Sequence, residues 1–166
     1  MKKEQRITTI LLCIYLVIVT WIILFKMQFP ISSMSHYRGI NLIPFAGSVI
    51  VNGKIQVQEI IDNLIIFIPV GVFLCMLKKQ WQFWKKVLPV LGLSLLYEML
   101  QYVLAIGATD ITDVISNTTG GVAGILIFFV FEKLLGEKTV KVLNRLAMVC
   151  ILLVMGLMAA LILVNL

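Results

Sequence analysis

The sequence predicts an all-α fold, a polytopic membrane helix bundle of five transmembrane helices with a cytoplasmic N-terminus and an external C-terminus. Three observations lead there. Of the 166 residues, 61% are hydrophobic and only 13% charged, against about 45–50% and about 25% in a soluble globular domain. The apolar residues form five long runs, and about 20 residues in a helix are enough to cross the hydrocarbon layer. The basic residues gather at alternate connections between those runs, as the insertion rule for short loops requires. A mean hydropathy of +1.06 over the whole length excludes a disordered chain and a soluble domain behind a cleaved leader. A transmembrane barrel would need alternating segments of about ten residues, which these runs are not. The chain therefore reads as one transmembrane domain, residues 1–166.

The first span is expected at 7–25. Lys2, Lys3 and Arg6 precede it, and the run ends in Phe25-Lys26-Met27-Gln28 with no small-residue cleavage site, so it reads as an uncleaved anchor. The second, 60–77, carries Asp62 and Asn63 near its start and Pro69 and Gly71 in its middle, where a proline can kink the helix. The remaining spans are expected at 87–106, 114–135 and 146–164. The longest connection, about 26–59, contains Asn41-Leu42-Ile43-Pro44-Phe45, apolar enough to lie on the membrane surface or tuck back into the bundle. Spans two to four hold the internal polar residues and form the polar core, with the first and fifth packed outside.

Orientation follows from Lys and Arg. The N-terminus has Lys2, Lys3 and Arg6; the connection after span two has Lys78, Lys79, Lys85 and Lys86; that after span four has Lys133, Lys138, Lys141 and Arg145. The opposite side has Lys26, Arg38 and Lys54. Basic residues in short loops stay cytoplasmic, so the first set is internal. Glu59, Asp62, Glu98, Asp110 and Asp113 then fall on the external side or in the outer half of the bilayer, with only Glu4, Glu132 and Glu137 inside. Acidic residues contribute little to topology, so this outward bias points to function.

Glu98 and Gln101 lie three residues apart and share a helix face with Ser94. On the expected span Glu98 sits about 12 Å deep, where an ionisable group costs about 2.5–3.5 kcal/mol. Intramembrane ionisable residues are functional candidates for that reason, although a Glu can also hold helices together. Asp110, Asp113, Asn117, Gly120 and Gly124 then recur at three- and four-residue steps. Thr109 or Asp110 can cap a helix start, which accounts for one of the two Asp residues. Gly120 and Gly124 form G-x-x-x-G, more often a packing device than chemistry. Glu59, Asp62 and Asn63 form a further cluster at the external end of span two.

The net charge of +6 reads as orientation rather than nucleic-acid binding. Cys13, Cys75 and Cys150 stand isolated in apolar runs, so neither a disulfide nor a thiolate metal site is expected. His36 with Asp110 and Asp113 has no distinctive metal-ligand spacing. No metal and no cofactor are expected. G-x-S-x-G, H-E-x-x-H and Walker-type glycine loops are all missing, which leaves Glu98, Asp110 and Asp113 as the candidate acid and base groups if a reaction is catalysed.

Four stretches in this order, Asn41 to Phe45, Ile61 to Gly71, Glu98 with Gln101, and Gly107 to Gly121, resemble the VanZ-like (teicoplanin resistance) family of membrane proteins, close to its founding glycopeptide-resistance member. Some relatives carry an Arg shortly before the Asp-x-x-Asp pair, where this chain reads Ala105-Ile106-Gly107-Ala108, so no Arg-dependent role is carried over. The resemblance implies a multi-pass protein of the bacterial plasma membrane that lowers sensitivity to teicoplanin-type lipoglycopeptides. By the topology above, the matching positions Asn41, Asp62, Asn63, Glu98, Gln101, Asp110, Asp113 and Asn117 all fall toward the external half of the membrane, and they are the expected binding site. The expected partner is a membrane lipid or lipid-linked wall precursor, or the lipoglycopeptide itself. The competing readings are an enzyme acting on a surface lipid or wall polymer and a scaffold whose glycine face docks a partner helix.

Overall fold

The computed structural model describes residues 2–25, 37–45, 50–51, 54–55 and 57–164. Lys26, His36 and part of the 26–59 connection lie outside the described residues. Five long helices are present among the described residues: α1 (Lys2–Phe25), α2 (Val57–Leu77), α3 (Phe83–Leu104), α4 (Ile111–Leu135) and α5 (Thr139–Val164). By length and composition, four helical stretches can cross a membrane: 2–24, 57–77, 83–104 and a continuous 111–160 that takes in both α4 and α5. A single 3₁₀ turn, Gly136–Lys138, joins those two helices. Gly136 adopts the positive φ of 54° that ends α4, and the Thr139 hydroxyl donates to the Gly136 carbonyl at 2.7 Å.

Two short sheets correct the expectation of helices alone. Strand β1 (Tyr37–Asn41) pairs in parallel with β4 (Ile106–Asp110), placing Arg38 opposite Gly107 and Asn41 opposite Asp110. A second pair, β2 (Ile50–Val51) and β3 (Lys54–Ile55), is antiparallel. The α3 helix accordingly ends at Leu104, two residues before its expected limit of 106. Ala105 takes the left-handed conformation there (φ 56°), with its N–H on the carbonyls of Gln101 and Tyr102. That conformation costs a residue with a Cβ about 1–2 kcal/mol, and it turns the chain back so that β4 runs beside the end of α3.

The tightest packing joins α2 to α4, which run in the same direction with Leu64 beside Gly120 and Ile68 beside Gly124. A Cβ on Gly120 would stand 2.1 Å from the Leu64 carbonyl oxygen, and one on Gly124 2.0 Å from that of Ile68. A Cβ on Gly71 of α2 would stand 1.9 Å from the Gly121 carbonyl oxygen. The glycine face predicted from G-x-x-x-G is thus filled by a helix of the same chain. Helix α3 crosses on the next face, with Val90 against Gly121 and Asn117 donating to Ser94 at 3.0 Å.

Helix α1 is more than an outer prop, which modifies the expectation that helices two to four alone make the polar core. The Tyr15 hydroxyl donates to the Ile66 carbonyl of α2 at 2.6 Å, and Thr20 meets the Tyr97 hydroxyl of α3 at 3.0 Å. Helix α5 lies along α1, where Thr8 donates to Asn144 at 2.9 Å and Asn144 donates to the Glu4 carboxylate at 2.9 Å. Lys79 pairs with Glu132, and the buried Lys86 donates to the Lys79 carbonyl at 3.0 Å and lies over the Phe129 ring. The start of α1, the α2–α3 connection and the α4–α5 turn are thereby tied together at one end of the bundle, the end that carries most of the basic residues.

Candidate functional site

At the opposite end a cavity of about 440 Å³ opens between α1, α2, α3 and α4. Helix α2 lines it with Gln58, Glu59, Asp62, Asn63 and Ile66, positions that recur at three- and four-residue steps and so share one face. Helix α3 contributes Glu98 and Gln101, α4 contributes Asp113 and Asn117, and α1 closes the wall with Ile22 and Ile23. Six of the eight residues expected from the sequence thus converge on one space: Asp62, Asn63, Glu98, Gln101, Asp113 and Asn117. Glu59 was visible as part of the α2 cluster. Gln58 was missed, although its four-residue spacing from Asp62 is a signal, and its amide donates to the Asp62 carboxylate at 2.8 Å.

The other two expected residues, Asn41 and Asp110, stand beside the cavity and build its wall. The Asp110 side chain caps α4 by accepting the Thr112 N–H at 2.7 Å, while its second oxygen accepts from the Asn41 amide at 2.9 Å. The Asp110 main-chain N–H donates to the Glu98 carboxylate at 2.8 Å, and the Thr109 hydroxyl donates to the Glu98 carbonyl at 3.0 Å. Strand β4 therefore holds Glu98 by both its side chain and its main chain, and β1 holds β4. With both oxygens engaged, Asp110 is a positioning residue. Replacing it with Ala should remove the cap and the Asn41 contact together. The expected loss is about 1–2 kcal/mol, read as a lower unfolding temperature in detergent, with Asp110→Asn retaining most of the cap.

Two buried amides are left half-satisfied. Gln101 donates its Nε2 to the Ile23 carbonyl at 3.1 Å, and its Oε1 has no partner. A carbonyl can only accept, so this orientation of the amide is set by chemistry. Asn117 uses Nδ2 on Ser94, and its Oδ1 also has no partner. Their residues are 5% and 1% exposed, and a buried acceptor without a partner among the described residues costs about 1–3 kcal/mol. No basic side chain lines the cavity among the described residues. No three His, Cys, Asp or Glu side chains among them are disposed to hold a metal ion. The lining is rich in carboxyl and amide groups, and its chemistry suits a ligand that brings hydrogen-bond donors.

Beyond Asn41 the chain turns outward. Asn41 Oδ1 accepts the Ile43 N–H at 3.2 Å, and the Phe45 N–H donates to the Thr112 hydroxyl at 3.0 Å, with Phe45 at a φ of 63°. Leu42, Ile43 and Phe45 project from this turn, each more than half exposed.

The family model described as VanZ/LLP1 matches residues 12–132. The chain belongs to the VanZ/LLP1 family. It is also 44% identical over 130 residues to Protein VanZ of Enterococcus faecium, an alignment that covers 77% of each chain. No solved structure matches. The VanZ/LLP1 match takes in every residue lining the polar cavity and both strands of the β1–β4 pair, and it ends before α5 begins.

Proposed function

We propose that this VanZ/LLP1-family protein crosses the bacterial plasma membrane five times, with its N-terminus in the cytoplasm and its C-terminus outside. In this reading its polar cavity faces outward, binds a cell-envelope lipid or lipid-linked wall precursor, and limits the access of teicoplanin-type lipoglycopeptides to the membrane surface. The orientation rests on the basic residues gathered at one end of the bundle, since short basic loops are retained inside. The exposed Leu42, Ile43 and Phe45 at the other end suit the outer membrane interface. The observation that carries the functional reading is the cavity itself: polar side chains from three helices meet there, and two of its lining residues, Gln101 and Asn117, hold buried amide oxygens without partners among the described residues. Unpaired buried acceptors are costly, and a bound ligand that donates to them offsets that cost.

The test is the binding of fluorescent teicoplanin and fluorescent vancomycin to cells that carry the parent or the Asp62→Asn/Asp113→Asn double variant, with wall and lipid composition assayed in the same cultures. The parent should lower teicoplanin binding, the variant should not, and the wall chemistry should be the same in both. Equal protection by a variant present at parental levels would remove the cavity from the mechanism. A second reading has one observation behind it, the presence of Glu98 and Asp113 in the same cavity. As acid and base these two could modify a surface lipid or wall polymer. A new lipid or wall product appearing only with the parent would favour that reading.

A further inference from the structure

A second cavity, about 360 Å³ and lined almost wholly by apolar side chains, runs between α1, α2 and α5. It begins where the polar cavity stops. Along α2 the polar cavity uses residues 58 to 66 and the apolar groove residues 65 to 76; along α1 the polar cavity uses 22 and 23 and the groove 15 to 22. Ile22 and Ile66 line both. The two spaces are therefore successive compartments along the same helices, and the groove from Ile65 to Met76 extends about 16 Å at about 1.5 Å per residue. That is about half of a hydrocarbon layer of about 30 Å, the depth of one acyl chain.

We propose that the two cavities form one site for an amphiphile whose head presents a primary ammonium group and of which one hydrocarbon chain lies in the groove. This inference rests on the reading of the polar cavity as a ligand site. The choice of head follows from the lining, in which α2, α3 and α4 each present a carboxyl group, Asp62, Glu98 and Asp113, with no basic side chain among the described residues. An ammonium carries three donors and no acceptor, so it suits a lining of carboxyl oxygens. A phosphate or carboxylate head without an amine brings only acceptors, which this lining already has. The choice of tail follows from the groove, whose wall is made of side chains such as Ile18, Ile68, Val72 and Ile151. The same chemistry can come from an aminoacylated membrane phospholipid or from an acylated antibiotic bearing a free amine.

The test uses the full chain in phosphatidylcholine nanodiscs and three photoactivatable probes with a diazirine in mid-chain: hexadecylamine, hexadecanol and hexadecyl phosphate. The amine should label peptides of α1, α2 and α5 around the groove and saturate. Unlabelled hexadecylamine should displace it and hexadecanol should not. The Glu98→Gln/Asp62→Asn variant should bind the amine about tenfold more weakly or worse, the scale of one lost charge-assisted hydrogen bond, with its unfolding temperature unchanged. Equal labelling by all three probes would make the groove an ordinary lipid contact and overturn the inference. So would amine labelling confined to other faces. Competition with an aminoacylated phosphatidylglycerol and with teicoplanin separates the two sources; displacement by either supports the site, and displacement by neither overturns it. A parent that excludes teicoplanin from cells yet ignores the amine loses this inference and keeps the functional reading. A parent that binds the amine while cavity variants protect fully loses the functional reading alone.

Discussion

Replacing Gly120 and Gly124 together with alanine will drive α2 away from α4 and leave little folded protein. Each added methyl would stand about 2 Å from a main-chain carbonyl of α2, and no rotamer change relieves a contact between a Cβ and backbone. Overpacking a well-filled interior costs about 1–3 kcal/mol per site and more when backbone must move. Two such sites on one interface consume a large share of a stability of about 5–15 kcal/mol. Thermal unfolding in detergent, with gel filtration for monodispersity, measures the effect. Gly92→Ala and Gly156→Ala are the matched controls, since neither new methyl would meet anything within 4 Å. Both should be neutral or gain up to about 1 kcal/mol from helix propensity. A double variant as stable as these controls would mean that α2 and α4 do not touch as described.

Removing the Glu98 carboxyl has the largest expected effect on function. In Glu98→Gln the side-chain carbonyl can still accept the Asp110 N–H that the carboxylate accepts at 2.8 Å. The wall of the cavity is then preserved and only the titratable carboxyl is removed. Susceptibility to teicoplanin should rise to that of cells without the protein, while the amount of protein in the membrane and its unfolding temperature stay at parental values. Glu98→Leu should fail for a different reason. It strands the Asp110 N–H in a buried setting at a cost of about 1–3 kcal/mol, so both protection and stability should fall. The inhibitory concentration and the unfolding curve of each variant separate the carboxyl from the architecture, and undiminished protection by Glu98→Gln would sink the role assigned to the carboxyl.

The helices were legible because hydropathy depends only on local composition: four of the five apolar runs fall within helices, the run at 87–106 overshoots α3 by two residues, and the Lys-rich connections fall at one end. The grouping of Asp62 with Asn63, and of Glu98 with Gln101, was legible because helical spacing puts such residues on one face. That these faces point at one another is a property of packing, and the signal for it was the glycines, which let α4 lie against α2 until Asn117 and Asp62 share a cavity. The β1–β4 pair was hidden for a physical reason. Ile106-Gly107-Ala108-Thr109-Asp110 has no alternation of apolar and polar residues, and a parallel partner must lie far away in sequence. Without that pair the double engagement of Asp110 could not be seen, and it stood beside Asp113 as an equal candidate. Ile22 and Ile23 lie in an unbroken apolar run, and nothing in the run distinguishes the residues that border a polar space from those that face lipid.

The pairing of Asn41 with Asp110 also imposes an order on synthesis. The two residues are 69 positions apart, and at about 5–20 residues per second the second follows the first by about 3–14 s. For that interval α1 and β1 have been made while β4, which positions Glu98, has not. The cavity therefore forms only after α3 and the start of α4 have emerged, and the insertion machinery must hold α2, with Glu59 and Asp62 at its N-terminal end, until the helices that share their polar space arrive.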